Sequence, residues 1–112
     1  MQPLDIQISQ QKGAVVARLR GDASNIFTHQ VFNALHPVIV RKASRVVLDL
    51  TELLFIASTA LGELIRFREE VRDYGGSLRL AGANPRVVDV LQKTRLVELF
   101  PLYPDAQAAL KN

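Results

Sequence analysis

Two adjacent hydroxyls, Ser58 and Thr59, are the side chains of this 112-residue sequence best placed to do chemistry. They follow a strongly apolar run that starts at Val46, and they precede an amphipathic segment over residues 61–74. A strand that leads into a helix in this way puts Ser58 at the helix start, where its hydroxyl is expected to accept a hydrogen bond from an unpaired backbone amide. The same amides would stabilise a phosphate group attached there. The junction therefore predicts a helix cap or a phosphorylation site.

No other combination of residues indicates catalysis. The sequence has no cysteine, which excludes thiolate chemistry, cysteine-ligated zinc and disulfides. His29 and His36 lie seven residues apart with no acid or cysteine clustered beside them to complete a metal site. Asp49 stands in an apolar strand without a second acid or a nucleophile, so we expect it to be a hydrogen-bonded structural residue. Because phosphate-binding glycine loops and nucleophile elbows are also missing, we expect no enzyme activity, no cofactor and no metal.

Charge and hydropathy argue against two classes of partner. The formal net charge is +3 and the sequence pI is about 9.7, but the arginines are distributed along the chain and the aromatic residues are only five Phe and two Tyr. We therefore expect no nucleic-acid binding. No stretch approaches the roughly 20 apolar residues that span a bilayer, and the amino-terminal segment lacks the pattern of a secretion signal. We expect a cytoplasmic protein without membrane insertion, and the sequence leaves its oligomeric state open.

Turn and cap residues divide the sequence into alternating strands and helices. Gln11-Lys12-Gly13 predicts a hairpin between antiparallel strands, Gly75-Gly76 predicts the end of the long helix, and Asn84-Pro85 predicts the start of a short one. Pro37 is expected to kink the first helix or to end it near His36. The predicted strands span residues 4–9, 14–19, 45–50, 77–81 and 96–100, and the last helix spans residues 104–110.

This order of elements predicts an α/β fold with a single mixed sheet of four to five strands and about four helices packed against it. The third strand is apolar at too many consecutive positions to have one wet face, so we expect helices on both sides of it. We expect one domain over residues 1–112. In such sheets ligands and partners meet the carboxyl ends of the strands, where Ser58 is expected. Asp22 is expected in a loop at the same edge.

The long helix has one clear apolar stripe. At 100 degrees per residue this stripe is expected to face the core, and it consists of Ala60, Leu64, Phe67, Val71 and Tyr74. Leu61 and Ile65 lie to one side of the stripe, and Arg68 and Arg72 flank them. Two interpretations remain open: an exposed apolar shoulder that contacts a partner, or a wide core face.

The arrangement resembles a known family. The run from Leu48-Asp49-Leu50 to Gly62, the helix, Gly75-Gly76, the following strand and Ala83-Asn84-Pro85 are similar to the STAS domain of anti-sigma-factor antagonists and sulfate-transporter tails. Antagonists of this family usually carry Asp-Ser-Ser/Thr-Gly-Leu-Gly at the junction. The present sequence reads Ala57-Ser58-Thr59-Ala60-Leu61-Gly62. Its serine falls on the family's phosphorylated position, and only the two alanines depart from the pattern.

The resemblance implies a partner-switching protein. Such a protein binds an anti-sigma factor that is also a serine kinase, and phosphorylation, here at Ser58 or alternatively at Thr59, releases it. The residues expected to contact the partner are Asp22, Ala57, Ser58, Thr59, Leu61, Gly62 and Ile65. The alternative is a non-phosphorylated, STAS-like structural subunit of a transporter or lipid-transport assembly, which the two alanines in the motif favour.

Overall fold

Five strands form one mixed sheet in the order β1-β2-β3-β4-β5 in the computed structural model, which describes residues 4–23 and 30–111. β1 and β2 pair antiparallel, and the other neighbours pair parallel. The strands are β1 (Asp5–Gln11), β2 (Ala14–Ala23), β3 (Arg45–Ile56), β4 (Ser77–Ala81) and β5 (Leu102–Tyr103). The helices are α1 (Gln30–Val40), α2 (Ser58–Asp73), α3 (Pro85–Lys93) and α4 (Ala106–Leu110). The predicted α/β class with a single mixed sheet is confirmed.

The sheet is covered on both faces. Val46, Leu48 and Leu50 of β3 pack in the main core, together with buried residues of α1, α2 and α3. Val47 points to the opposite face, where Ala109 and Leu110 of α4 cover it. This two-sided burial explains why the first half of β3 has consecutive apolar residues at 46–48 instead of alternating apolar and polar ones.

The residues predicted to start and end elements do so through local hydrogen bonds. Lys12 and Gly13 have φ values of 50° and 76° in the hairpin turn, as a two-residue turn between twisted strands requires. At the end of α2, Gly75 has a φ of 88°, and the amides of Gly75 and Gly76 donate to the carbonyls of Arg72 and Val71, both at 2.9 Å. This pair of hydrogen bonds is a Schellman motif, and it confirms the predicted helix end.

Asp49 has the structural role that the sequence predicted. The residue is 5% exposed. Its Oδ1 accepts hydrogen bonds from the backbone amide of Thr51 at 3.0 Å and from Thr51 Oγ1 at 2.6 Å. The guanidinium of Arg18 approaches the other carboxylate oxygen to 3.6 Å. These partners compensate for the burial of the charge.

Two expected features of the chain path are absent. Of the two outcomes expected at Pro37, an early end of α1 near His36 does not occur, because the helical bonds continue past Pro37, whose carbonyl accepts from the Arg41 amide at 3.1 Å. Burial of Val31, Leu35 and Val38 along one stripe maintains the helix despite the missing amide. Residues 96–100 are not a strand: residues 96–98 form a 3₁₀ turn after Arg95, whose φ is 63°, and the edge strand β5 comes later.

Candidate functional site

The ends of β2 and β3 extend beyond the rest of the sheet as a two-stranded ribbon. β3 pairs with β4 only as far as Asp49, whereas its pairing with β2 continues until Ala23 lies opposite Ile56. The predicted end of this strand at residue 50 was therefore wrong: Thr51 and Glu52 are exposed positions within a strand that is buried again at Leu53 and Ile56.

Asp22 lies in this ribbon and not in a loop, which corrects the sequence prediction. It belongs to β2, pairs in register with Phe55 and is half-buried. The ribbon places Asp22 at the same edge as the strand-to-helix junction, because the amide of Ala57 donates to the carbonyl of Ala23 at 3.2 Å.

Ser58 is the first residue of α2 and does not cap it. The cap position is Ala57, which has extended backbone angles and no side chain that can accept a hydrogen bond. The interpretation of Ser58 as a helix cap was therefore wrong by one residue. The side chains of Ser58 and Thr59 are both exposed, and within the described residues no hydrogen bond engages the Ser58 hydroxyl. The structure thus presents an accessible hydroxyl at an uncapped helix start.

The structure distinguishes the two interpretations of the apolar residues beside this hydroxyl, an exposed shoulder and a wide core face. Leu61 is only 2% exposed and belongs to the main core, while Ile65 is half-buried and packs against it. Arg68 does not form a basic rim, since its side chain is 13% exposed and its Nε donates to the carbonyl of Leu99 at 2.9 Å. Gly62 is exposed, with open space where a Cβ would project. The wide core face is the correct interpretation of Leu61.

Substitutions of Leu61 and Ile65 should lower the free energy of unfolding by different amounts, because only Leu61 is fully in the core. Leu61→Ala should lower the free energy of unfolding by about 2–5 kcal/mol, because it removes a buried side chain. Ile65→Ala should cost clearly less, since part of that side chain already contacts water. Urea denaturation followed by circular dichroism measures both values. Equal losses for the two variants would contradict the burial difference.

Leu54 is a surface residue of this edge that the sequence did not indicate. It is 46% exposed, one of only two large apolar side chains so exposed among the described residues. Phe55 beside it is half-buried, and the guanidinium of Arg86 lies 5.1 Å from the centre of its ring. Strand alternation between Leu53 and Leu54 would have revealed the exposed position, but only if β3 had been predicted to reach it.

Asn84 links the ribbon to α3 through hydrogen bonds. Its side-chain amide donates to the carbonyls of Leu53 and Leu54 at 2.8 and 3.3 Å, while its Oδ1 accepts from the Val87 amide at 2.9 Å. The predicted cap of the short helix is confirmed, and the structure adds the link to β3.

Asn84→Ala should therefore cost more than an ordinary helix cap. We expect a loss of roughly 2–3 kcal/mol in unfolding free energy, because the variant removes the cap and leaves ribbon carbonyls without a donor. Asp105→Ala is the matched control, since Asp105 caps α4 through one bond, to the Ala108 amide at 2.8 Å, and should cost about 1 kcal/mol. Both values come from urea denaturation. If the two variants lost equal stability, the link to the ribbon would contribute nothing.

The charges beside the junction connect α2 to α1. Glu63 accepts a hydrogen bond from the backbone amide of Phe32 at 3.0 Å, and the Arg66 guanidinium lies 4.0 Å above the centre of the Phe32 ring.

The described residues include no group of three or more acidic, histidine or cysteine side chains that could hold a metal. His36 is exposed, and His29 lies outside the described residues. Burial raises the pKa of Tyr74, but this phenol lies at the far end of α2.

The fold and the junction identify the class of protein. The family model of the STAS domain matches residues 5–109. The chain belongs to the STAS domain family, as the motif at residues 57–62 predicted.

Individual relatives extend over nearly the whole chain. The anti-sigma F factor antagonist of Paenibacillus polymyxa is 26% identical over 108 residues, which cover 96% of this chain and 92% of that protein. The crystal structure of an anti-sigma factor antagonist from Mycobacterium paratuberculosis aligns with a TM-score of 0.86 and 22% identity, covering 96% and 92% of the two chains.

The same fold occurs in a transporter domain. The STAS domain of a SulP transporter from Vibrio cholerae aligns with a TM-score of 0.65 and 22% identity, over 80% of this chain and 74% of that one. In the described part of the present chain, no helix is both long and apolar enough to cross a membrane. The fold alone therefore does not decide between the two roles that the resemblance implied.

Proposed function

We propose that this chain is an anti-sigma-factor antagonist that binds an anti-sigma factor with serine kinase activity, referred to below as the anti-sigma partner. The observation that carries the proposal is the exposed hydroxyl of Ser58, which is free of any capping bond at the position where antagonists of this family are phosphorylated. The near full-length match to an antagonist supports the same role. The chain acts by binding, without catalysis, cofactor or metal, and we place it in the cytoplasm.

The partner surface follows from what is accessible at the α2 start. Ser58, Thr59 and Gly62 are exposed on the first turns of α2, and Ala57, Ile65 and Asp22 are half-buried around them. Leu54 adds an apolar contact on the ribbon side. Small side chains at the helix start let a partner approach closely.

Phosphorylation would change the charge of this surface. The γ-phosphoryl group of the partner's ATP is transferred to Ser58 Oγ, ADP leaves, and the hydroxyl proton passes to a base of the partner or to water. The chain supplies only the acceptor hydroxyl. The product carries roughly −1.5 to −2 charges. The uncapped amides of α2 and the helix dipole stabilise that charge locally. A bulky anion at the centre of the interface then releases the partner by occlusion and repulsion. Thr59 is the alternative acceptor, since its side chain is also exposed.

The two alanines that depart from the usual motif, Ala57 and Ala60, affect partner recognition to different degrees. Ala60 is fully buried and faces the core, so its methyl group does not meet a partner. Ala57 occupies the cap position itself, where it removes a carboxylate from the partner-facing edge and leaves α2 without a side-chain cap. Recognition by the partner must therefore rely on the remaining exposed groups of the edge.

Isolation of the native chain from its own cells tests the proposal. Mild affinity purification followed by mass spectrometry of the bound proteins should recover a small ATP-binding kinase. The alternative role, a structural subunit of a transporter or lipid-transport assembly, predicts that membrane-transport subunits co-purify instead. Recovery of such subunits, with no kinase among the bound proteins, would contradict the proposed function.

A further inference from the structure

The excess positive charge of the chain is concentrated away from the Ser58 edge. Among the described residues, the side chains of Arg18, Arg20, Arg68 and Lys93 form ion pairs. Those of Arg66, Arg79 and Arg86 lie over aromatic rings. Within residues 4–23 and 30–111, the remaining cations have neither kind of partner: Lys12, Arg41, Lys42, Arg45, Arg72, Arg95 and Lys111.

Four of these unpaired cations line two adjoining cavities, which we name the basic cleft. One cavity, of about 370 Å³, lies between the β1–β2 turn and the segment that links α1 to β3, and its cations are Lys12, Arg41 and Arg45. The other, of about 300 Å³, reaches α4 and is lined by Lys12, Arg45 and Lys111. Lys12 and Arg45 belong to both. No aspartate or glutamate is among the described residues that line either cavity.

The basic cleft is held in place by backbone contacts. The guanidinium of Arg45 donates to the carbonyl of Lys12 at 3.3 Å and to the carbonyl of Leu110. A guanidinium has five N–H donors, so Arg45 retains donors for a ligand. The tight turn fixes the backbone of Lys12, whose φ is 50°. The cations are thus gathered around a concave space instead of being spread over a surface.

We propose that the basic cleft binds an anion that carries phosphate groups. Like charges gathered without a carboxylate repel one another, and a multivalent anion between them relieves that repulsion. A single carboxylate would compensate only one of the four charges, whereas phosphate groups match both their number and the donor geometry of arginine. The volume of the larger cavity is within the ordinary range for small-molecule sites. The phosphate belongs to a soluble compound or to a lipid headgroup.

The basic cleft is independent of the proposed partner surface. Arg45 is the first residue of the twelve-residue strand β3, and Ser58 lies two residues beyond the last residue of that strand, Ile56. The two sites therefore lie at opposite ends of the sheet, and a ligand in the basic cleft leaves the Ser58 edge open.

Titration with pyrophosphate tests the soluble source. In ¹H–¹⁵N spectra near physiological ionic strength, we expect saturable shifts of the amides of Gly13, Ser44 and Arg45. The double variant Lys12→Gln/Arg41→Gln should bind at least about tenfold more weakly, since it removes two of the four charges. Within the described part of the chain, the side chains of Lys12 and Arg41 make no hydrogen bond or ion pair. The variant should therefore stay folded, and its melting temperature checks this.

The control variant is Arg72→Gln/Arg95→Gln, which removes two unpaired cations outside the basic cleft. Its affinity should stay within about twofold of that of the unsubstituted chain, because exposed charges beyond the cleft are screened by salt. The lipid source is tested by sedimentation with phosphatidylglycerol vesicles against phosphatidylcholine vesicles. Binding to the anionic vesicles alone, with the same dependence on Lys12 and Arg41, assigns the cleft to a lipid headgroup. Binding to neither probe, or equal losses in the two double variants, overturns the proposal.

Discussion

Ser58→Asp should weaken the complex with the anti-sigma partner by at least about tenfold and should leave the stability of the chain unchanged or slightly raised. The weaker binding follows from placing a negative charge at the centre of the proposed interface. The stability follows from the position of Ser58 as the first residue of α2, where a carboxylate gains about 0.3–1 kcal/mol from the helix dipole. No capping bond is lost, because the cap residue is Ala57.

Two further variants make the Ser58→Asp result specific. Ser58→Ala should bind as the unsubstituted chain does, with almost no change in stability, since its hydroxyl makes no hydrogen bond within the described residues. Thr59→Asp adds the same charge at the next exposed residue and should weaken binding less. Titration calorimetry measures the affinities and urea denaturation the stabilities. If Ser58→Asp bound normally while Thr59→Asp did not, Thr59 would be the switch residue.

Gly82→Ala should cost on the order of 3 kcal/mol in unfolding free energy, because strain and overlap add at this position. Gly82 follows β4 with a φ of 73°, and an added Cβ would lie 2.3 Å from Thr51 Oγ1 and 3.3 Å from Thr51 Cα. Thr51 cannot move freely, since its hydroxyl donates to the buried carboxylate of Asp49. The amide of Gly82 also donates to the carbonyl of Tyr103 in β5, at 3.0 Å.

Gly13→Ala is the matched control for this clash. Gly13 has a similar φ of 76°, but no atom lies within 4 Å of the position that a Cβ would take. Gly13→Ala should therefore lower the free energy of unfolding by only about 1–2 kcal/mol, which is the strain of a residue with a side chain in the left-handed conformation. Chemical denaturation of both variants separates the clash from the strain. Equal losses would show that Thr51 shifts without resistance.

The parts of the fold that local chemistry determines were predictable from the sequence. Gly75-Gly76 and Asn84-Pro85 end and start helices through bonds within a few residues of themselves, so their roles depend little on the rest of the chain. The run of apolar residues at 46–50 indicated two-sided burial, because an antiparallel strand with one wet face would alternate.

The parts that depend on distant contacts were not predictable. The extension of β3 exists because β2 pairs with it up to Ile56, and nothing in Thr51-Glu52 distinguishes an exposed strand pair from a turn. The cap of α2 is Ala57 and not Ser58, since the bond from Ala57 to Ala23 fixes where the strand ends. Leu61 is buried because elements outside α2 cover its flank, which the phase of one helix does not reveal.

If Ser58 is the phosphorylated switch of the partner-binding surface, the kinase recovered from the native cells should modify it. The experiment is to incubate the purified chain with that kinase and ATP, then to record the intact mass, map the modified residue by fragmentation and follow the complex by gel filtration. We predict one added phosphate, located on Ser58, and dissociation of the complex as the phosphate appears. A chain that stays unmodified and bound to its partner throughout would contradict the switch and leave a constitutive scaffold.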